Sequence, residues 1–187
     1  IGMVDQALWD IYAKSRNVPM AVAIGGECRA VSAYLSDVFY EPDIPFEQLL
    51  DEAEANMERG GYSALKVRIG CGVADSVDRV SSVRERFGDS VALMVDANQA
   101  WELTTAVRAA QSLDGFGLSW LEEPIKPHGG AYRPHDGHDA NGDTGALADS
   151  SSIPIAVGEN HVTYGECVDA VQRSHVGYMQ FDAIKNG

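Results

Sequence analysis

The chain has 187 residues, 45% hydrophobic and 22% charged, a composition that makes a globular domain with a buried core and excludes a disordered segment. Lys and Arg number 14 against 28 Asp and Glu, a formal net charge of −14, so phosphate backbones are repelled and nucleic acid is not an expected partner. No apolar run approaches the roughly 20 residues of a membrane span, no signal peptide is evident at the start, and Cys28, Cys71 and Cys167 are too scattered for a disulfide framework or a zinc knuckle, which leaves a cytoplasmic protein with no membrane partner as the expectation.

Strand-like and helix-like segments alternate along the chain. Residues 2–15 read as a helix with Met3, Ala7, Ile11 and Tyr12 on one stripe, and 29–35 as a first strand. Pro45 opens a helix whose stripe is Phe46, Leu49, Leu50, Ala53 and Met57, close to ideal i, i+3, i+4, i+7 spacing. There follow a strand at 64–69, a helix at 73–87 stopped by Gly88-Asp89, a strand at 91–96, a helix at 102–113 and a strand at 118–122 stopped by Pro124. From 125 to 152 the chain is rich in Gly, Asp, His and Pro and reads as a long irregular loop with one short helical turn around 146–149, either a lid or an acidic surface insertion. A strand at 155–158, a helix at 163–173 and a strand at 178–182 close the pattern.

Strand-helix units repeated about five times, with near-continuous apolar strands such as 91–95, imply an α/β fold with a parallel sheet buried on both faces. A doubly wound open sheet and a (β/α)8 barrel both fit that rhythm. The chain has no GxGxxG or GxxxxGK[ST] at a strand-helix junction, whereas acids sit at the ends of several strands, as barrel enzymes build their sites. The expected fold is a (β/α)8 TIM-type barrel, incomplete: a closed one takes about 250 residues, and this chain supplies about six strands.

Asp96 closes one strand, the Glu122-Glu123 pair another, and Glu159 follows a third. Carboxylates at the C-terminal ends of successive parallel strands converge on one mouth, and hard oxygen ligands there suit Mg²⁺. Alternation turns Glu122 and Glu123 to opposite faces, so one of the two is a ligand, with the choice open. Period two puts Lys66 and Arg68 on one face of their strand and Leu65, Val67 and Ile69 on the other. Two cations on a buried strand need anions, which the carboxylates or an anionic substrate provide. Asn98 shares the parity of Asp96, Asn160 adjoins Glu159, and Lys185 lies three residues beyond Asp182, which ends the last strand; Asn98, Asn160 and Lys185 are candidates for substrate binding. His135 and His138 lack a third ligand at usable spacing and read as loop residues.

The phrases at 64–70 (ALKVRIG), 95–101 (VDANQAW), 120–124 (WLEEP), 154–160 (PIAVGEN) and 180–187 (QFDAIKNG) resemble, in order, the enolase superfamily in its mandelate racemase/muconate lactonizing enzyme branch. The opening residues 5–14 are similar to the segment that leads into that family's barrel, so the resemblance covers nearly the entire chain. It implies Mg²⁺ held by Asp96, Glu122 and Glu159, choosing Glu122 over Glu123, with Asp182 as the acid that orients a histidine on the following strand. It further implies abstraction of the proton α to a carboxylate through an enediolate. Where the family pattern has Lys-x-Lys with the second lysine as base, this chain has Arg68, a group better suited to holding an anion than to taking a proton. One-base chemistry with elimination of water, as in the branch's acid-sugar dehydratases, is therefore the expected reaction on a small hydroxy-carboxylate. Lys66, Arg68 and Asp182 are its expected catalytic residues. A racemase or epimerase with Lys66 as base, and a remnant that binds metal without turnover, are the alternatives. The resemblance also implies a partial barrel over 1–187, without the family's N-terminal capping domain or the histidine-bearing strand, and a homo-oligomer when full length.

Overall fold

The computed structural model describes residues 2–125 and 140–186. Six strands, β1 (Leu35–Val38), β2 (Ala64–Arg68), β3 (Ala92–Asp96), β4 (Leu118–Glu122), β5 (Ile155–Val157) and β6 (Tyr178–Met179), form one sheet in chain order. Every neighbouring pair is parallel. A doubly wound sheet reverses its strand order at a switch point; this sheet never does, which leaves the barrel-type winding.

The helices that alternate with the strands are α3 (Phe46–Gly60), α4 (Val73–Phe87), α5 (Leu103–Leu113), α6 (Ala140–Ser150) and α7 (Tyr164–Arg173), preceded by α1 (Gly2–Ser15) and α2 (Met20–Ala23) and followed by α8 (Ala183–Asn186). Leu65 and Val67 of β2, Leu93 and Val95 of β3, Leu121 of β4 and Ile155 and Val157 of β5 pack with the stripes of α3, α4 and α5 into one core. Lys66 and Arg68, alternating with Leu65 and Val67, leave that core for the other face of the sheet. The 3.6-residue and 2-residue periods thus meet along one surface, and the polar strand residues are left to line the opposite one.

Three expectations give way. The first strand is β1 at Leu35–Val38 and not 29–35, because β1 takes its place by pairing Leu35 with Leu65 and Ser36 with Lys66, a tertiary register that local composition does not encode. The last strand is the two-residue β6, and Asp182 precedes α8 instead of ending a strand: its Oδ1 accepts the Ile184 N–H at 2.8 Å, a helix-capping bond. The stretch 125–152 holds more than a turn at 146–149, since α6 spans Ala140–Ser150. Its sequence is poor in helix formers, and tertiary contact decides: Leu147 is fully buried, and Gly145 lies so close to α7 that an added Cβ would stand 2.5 Å from the Arg173 carbonyl oxygen. His128, His135 and His138 lie outside the described residues.

Candidate active site

The register aligns Arg68 with Asp96 and Asp96 with Glu122 across three adjacent strands, so one rung of the sheet carries a cation and two anions at its C-terminal edge. Lys66, two residues down β2, reaches up to the same rung. Its Nζ donates to both oxygens of Glu122 at 2.9 Å and lies 3.5 Å from Asp96 Oδ2, while Arg68 Nη1 is 3.0 Å from that same Asp96 oxygen. Asp96 and Glu122 are 2% and 3% exposed, so these are buried charges in mutual contact, the condition under which burial is tolerated.

Aromatic rings floor this cluster. Trp120 Nε1 donates to Glu122 Oε2 at 3.2 Å, and the Trp120 ring stands between Tyr34 and Tyr178 with centroids 5.6 and 4.9 Å away. Lys66 Nζ lies 5.5 Å from the Tyr34 ring centroid and Arg68 Cζ 5.7 Å from that of Phe39. Beyond the rung, Arg79 fixes the end of β2: it donates from Nε to the Arg68 carbonyl at 3.0 Å and from Nη2 to the Phe39 carbonyl at 2.9 Å, stacked by Tyr40 and Phe46.

The electrostatics follow from burial and neighbours. Burial pushes the Glu122 carboxyl up, the Asp96 charge adds to it, and the Lys66 and Trp120 hydrogen bonds only partly offset them. For Lys66, burial pulls the ammonium down, but its hydrogen bond to Glu122 and the charges of Glu122 and Asp96 outweigh that and hold it above its ordinary value. Both directions follow from two carboxylates and two cations packed together out of water.

Glu159, Asn160 and Lys185 form a second group. Glu159, just past β5, has its Oε1 2.7 Å from Lys185 Nζ, which also donates to Asn160 Oδ1 at 3.1 Å. Glu159 therefore pairs with Lys185, apart from Lys66, and among the described residues no three His, Cys, Asp or Glu side chains stand together as a metal-holding group. Asn98 meets Asp96 through its backbone N–H, 2.8 Å from Oδ1. Asp182 caps α8. The two Glu at the end of β4 divide as alternation demands: Glu122 joins Lys66, whereas Glu123 bonds the Gly158 N–H and Gln99. Sequence reasoning passed over Trp120, Tyr34 and Gln99; for Trp120 a signal existed, since it shares the parity of Glu122.

A family model described as enolase C-terminal domain-like matches residues 48–187, three quarters of the chain. The chain belongs to the enolase superfamily. Its relatives lie in the mandelate racemase/muconate lactonizing enzyme branch. The L-talarate/galactarate dehydratase of Salmonella typhimurium is 32% identical over 100% of this chain and 44% of its own length. Among solved structures, the L-talarate dehydratase of Polaromonas sp. JS666, complexed with Mg and L-glucarate, superposes with a TM-score of 0.82 at 34% identity over 97% of this chain and 47% of that one. A racemase from Streptomyces coelicolor A3(2) with bound magnesium gives 0.85 at 32% identity over 100% of this chain and 52% of that one. This enolase-superfamily chain thus spans about half the length of the relatives it matches. Further relatives are named as cycloisomerases, racemases and epimerases, so the homologues are enzymes of more than one reaction class. Among the described residues of this family member, no helix is long and apolar enough to cross a membrane.

Proposed function

We propose that this chain carries the acid-bearing strands of an Mg²⁺-dependent lyase that dehydrates an acid sugar, a small hydroxy-carboxylate, to its 2-keto product. The observation that carries the reading is the single ammonium of Lys66 shared by Glu122 and Asp96 at the C-terminal edge of adjacent parallel strands. A cation already stands between two buried hard oxygen donors there, 2.9 Å from Glu122 and 3.5 Å from Asp96. Asp96, Glu122 and Glu159 are the residues we assign to Mg²⁺, with Glu159 exchanging its Lys185 partner for the ion. Bound there, Mg²⁺ would supply positive charge to an anion developing next to the substrate carboxylate.

The chain's own residues do the rest. Arg68 is permanently charged, so it holds the substrate carboxylate and does not accept the proton. Lys66, held protonated by its carboxylates, works as a second cation on the developing anion. We assign Asn98, Asn160 and Lys185 to the hydroxyl groups of the substrate. Asp182 orients the histidine base that the family pattern expects on the following strand. Removal of the α-proton and departure of the β-hydroxyl as water leave an enol, which becomes the 2-keto acid by gaining a proton at the β-carbon. The names of the relatives, dehydratases of talarate, galactarate and arabinonate among them, support this class of substrate. We further assign residues 1–187 to one partial barrel domain of a cytoplasmic homo-oligomer.

The test is an acid-sugar library incubated with Mg²⁺ in D₂O and followed by trapping of 2-keto product and by proton NMR. Keto product that requires Mg²⁺ supports the dehydratase. Exchange of the α-hydrogen without loss of water assigns a racemase or epimerase instead, and neither outcome in any compound would leave a chain without turnover.

A further inference from the structure

Glu123 has no part in the reaction above, yet it is among the most deeply enclosed polar side chains of the molecule, 2% exposed. It also sits at φ +41°, in the left-handed region that a non-glycine residue enters only when its surroundings impose it. What imposes it is a set of bonds reaching both neighbouring strand ends. Its Oε1 accepts the Gly158 N–H at 3.0 Å, at the residue before Glu159. Its Oε2 accepts from the Gln99 side-chain amide at 3.1 Å, three residues past Asp96. Its backbone repeats both links: its N–H donates to the Ala156 carbonyl at 2.8 Å, and its carbonyl accepts the Gln99 N–H at 2.6 Å.

The turn at Asn98-Gln99 is itself held at φ +47° and +61°, and Gly158 at +132°. A Cβ on Gly158 would stand 3.0 to 3.2 Å from the Gln180 backbone, so the β5 turn has little freedom of its own. Glu123, itself in the turn after Glu122, thus bonds the turn that follows Asp96 and the turn that precedes Glu159.

We infer that Glu123 is a positioning residue: by bonding the β3 and β5 turns, it sets the separations among Asp96, Glu122 and Glu159 and with them the affinity of the site for a divalent cation. This rests on the assignment of those three carboxylates to the ion in the proposed function. The bonds ask for an acceptor toward Gly158 and a partner for an amide toward Gln99. Glutamine meets both demands, since the Gln99 amide can turn to present its oxygen. Leucine fills the space and meets neither.

The experiment is Mn²⁺ binding to the full chain, followed by electron paramagnetic resonance of the bound ion, for the parent, Glu123→Leu and Glu123→Gln. Outer-sphere partners of metal ligands are worth roughly 10- to 100-fold in affinity. Glu123→Leu is expected to lose binding on that scale with an altered Mn²⁺ line shape, and Glu123→Gln to stay within about threefold of the parent with the parent's spectrum. Glu123→Leu matching the parent overturns the inference, and so does Glu123→Gln losing as much as leucine, which would make the charge and not the bonds responsible. If the leucine variant does not fold, Gln99→Met removes the side-chain bond to the β3 turn and leaves the backbone one in place; parent-like affinity and line shape there overturn the inference too. A parent that binds no Mn²⁺ defeats the metal assignment itself, an outcome distinct from the others.

Discussion

Lys66 is the residue on which the cluster turns. Its side chain is 11% exposed and stands between two carboxylates that are more deeply buried still. Replacing one partner of a buried ion pair leaves the other without compensation, at a cost of about 3–5 kcal/mol. Lys66→Met is therefore expected to lower the unfolding free energy measured in urea by that order, with Mg²⁺ restoring more stability to the variant than it adds to the parent. The pH dependence has a definite sign. A lysine raised in the folded state contributes stability that is fully present below its ordinary value near 10.5 and is lost as pH rises through the folded value. Alkaline unfolding curves should show that loss in the parent and a shallower one in Lys66→Met; identical slopes would mean the ammonium is not held by its partners. The pairing of Lys66 and Arg68 with strand-end acids was legible in the sequence, because period two and the cost of a buried cation together demand anions nearby. The pairing of Glu159 with Lys185 was not, since it depends on where α8 begins, and nothing in the residues around Asp182 distinguishes a strand end from a helix cap.

At the scale of elements, the turns and caps at the C-terminal edge matter most. Thr163 caps α7 in a reciprocal box with Glu166, whose side chain accepts the Thr163 and Val162 N–H groups at 2.7 and 2.9 Å. Removing such a cap costs about 1 kcal/mol, which for a chain of this size is about 2–4 °C in Tm. Thr163→Ala should show that drop in a thermal melt. Burial raises the Glu166 carboxyl, but the N–H groups of Thr163 and Val162 outweigh it and hold it below the usual range, so its share of the cap is present at neutral pH and lost as pH falls through that lowered value. Gly158 is the other element-scale test. Alanine there has to displace β6 from β5 or abandon φ +132°, so Gly158→Ala should weaken both stability and divalent binding, whereas Gly61→Ala at the end of α3, with open space at its Cβ, should spare the binding. The long helices α3, α4 and α5 were readable because their apolar stripes are regular and their stops are Gly or Asp. Helix α6 was not, because Leu147 and the close approach at Gly145 hold it through tertiary contact, and β1 was not, because pairing with β2 sets its limits.

For the molecule as a whole, the barrel-type winding was legible beforehand in repeated strand-helix units with acids at several strand ends and no phosphate-binding turn. The charge of −14 is the global feature with a physical consequence of its own. Self-repulsion among exposed carboxylates destabilises the compact state and is screened within about 3 Å at molar salt. Thermal melts in dilute buffer and in molar KCl should show a higher Tm in the salt; an unchanged or lower Tm would mean that the acidic surface is already balanced locally, as Arg86 is by Glu47, Asp51 and Glu54.

The central claim is that Asp96 and Glu122 belong to a cation site, and titration calorimetry of Mg²⁺ into the parent, Asp96→Asn and Glu122→Gln tests it most directly. A saturable binding heat in the parent that disappears in both variants is the result the account predicts. Equal heats in all three proteins, or none in the parent, would contradict it.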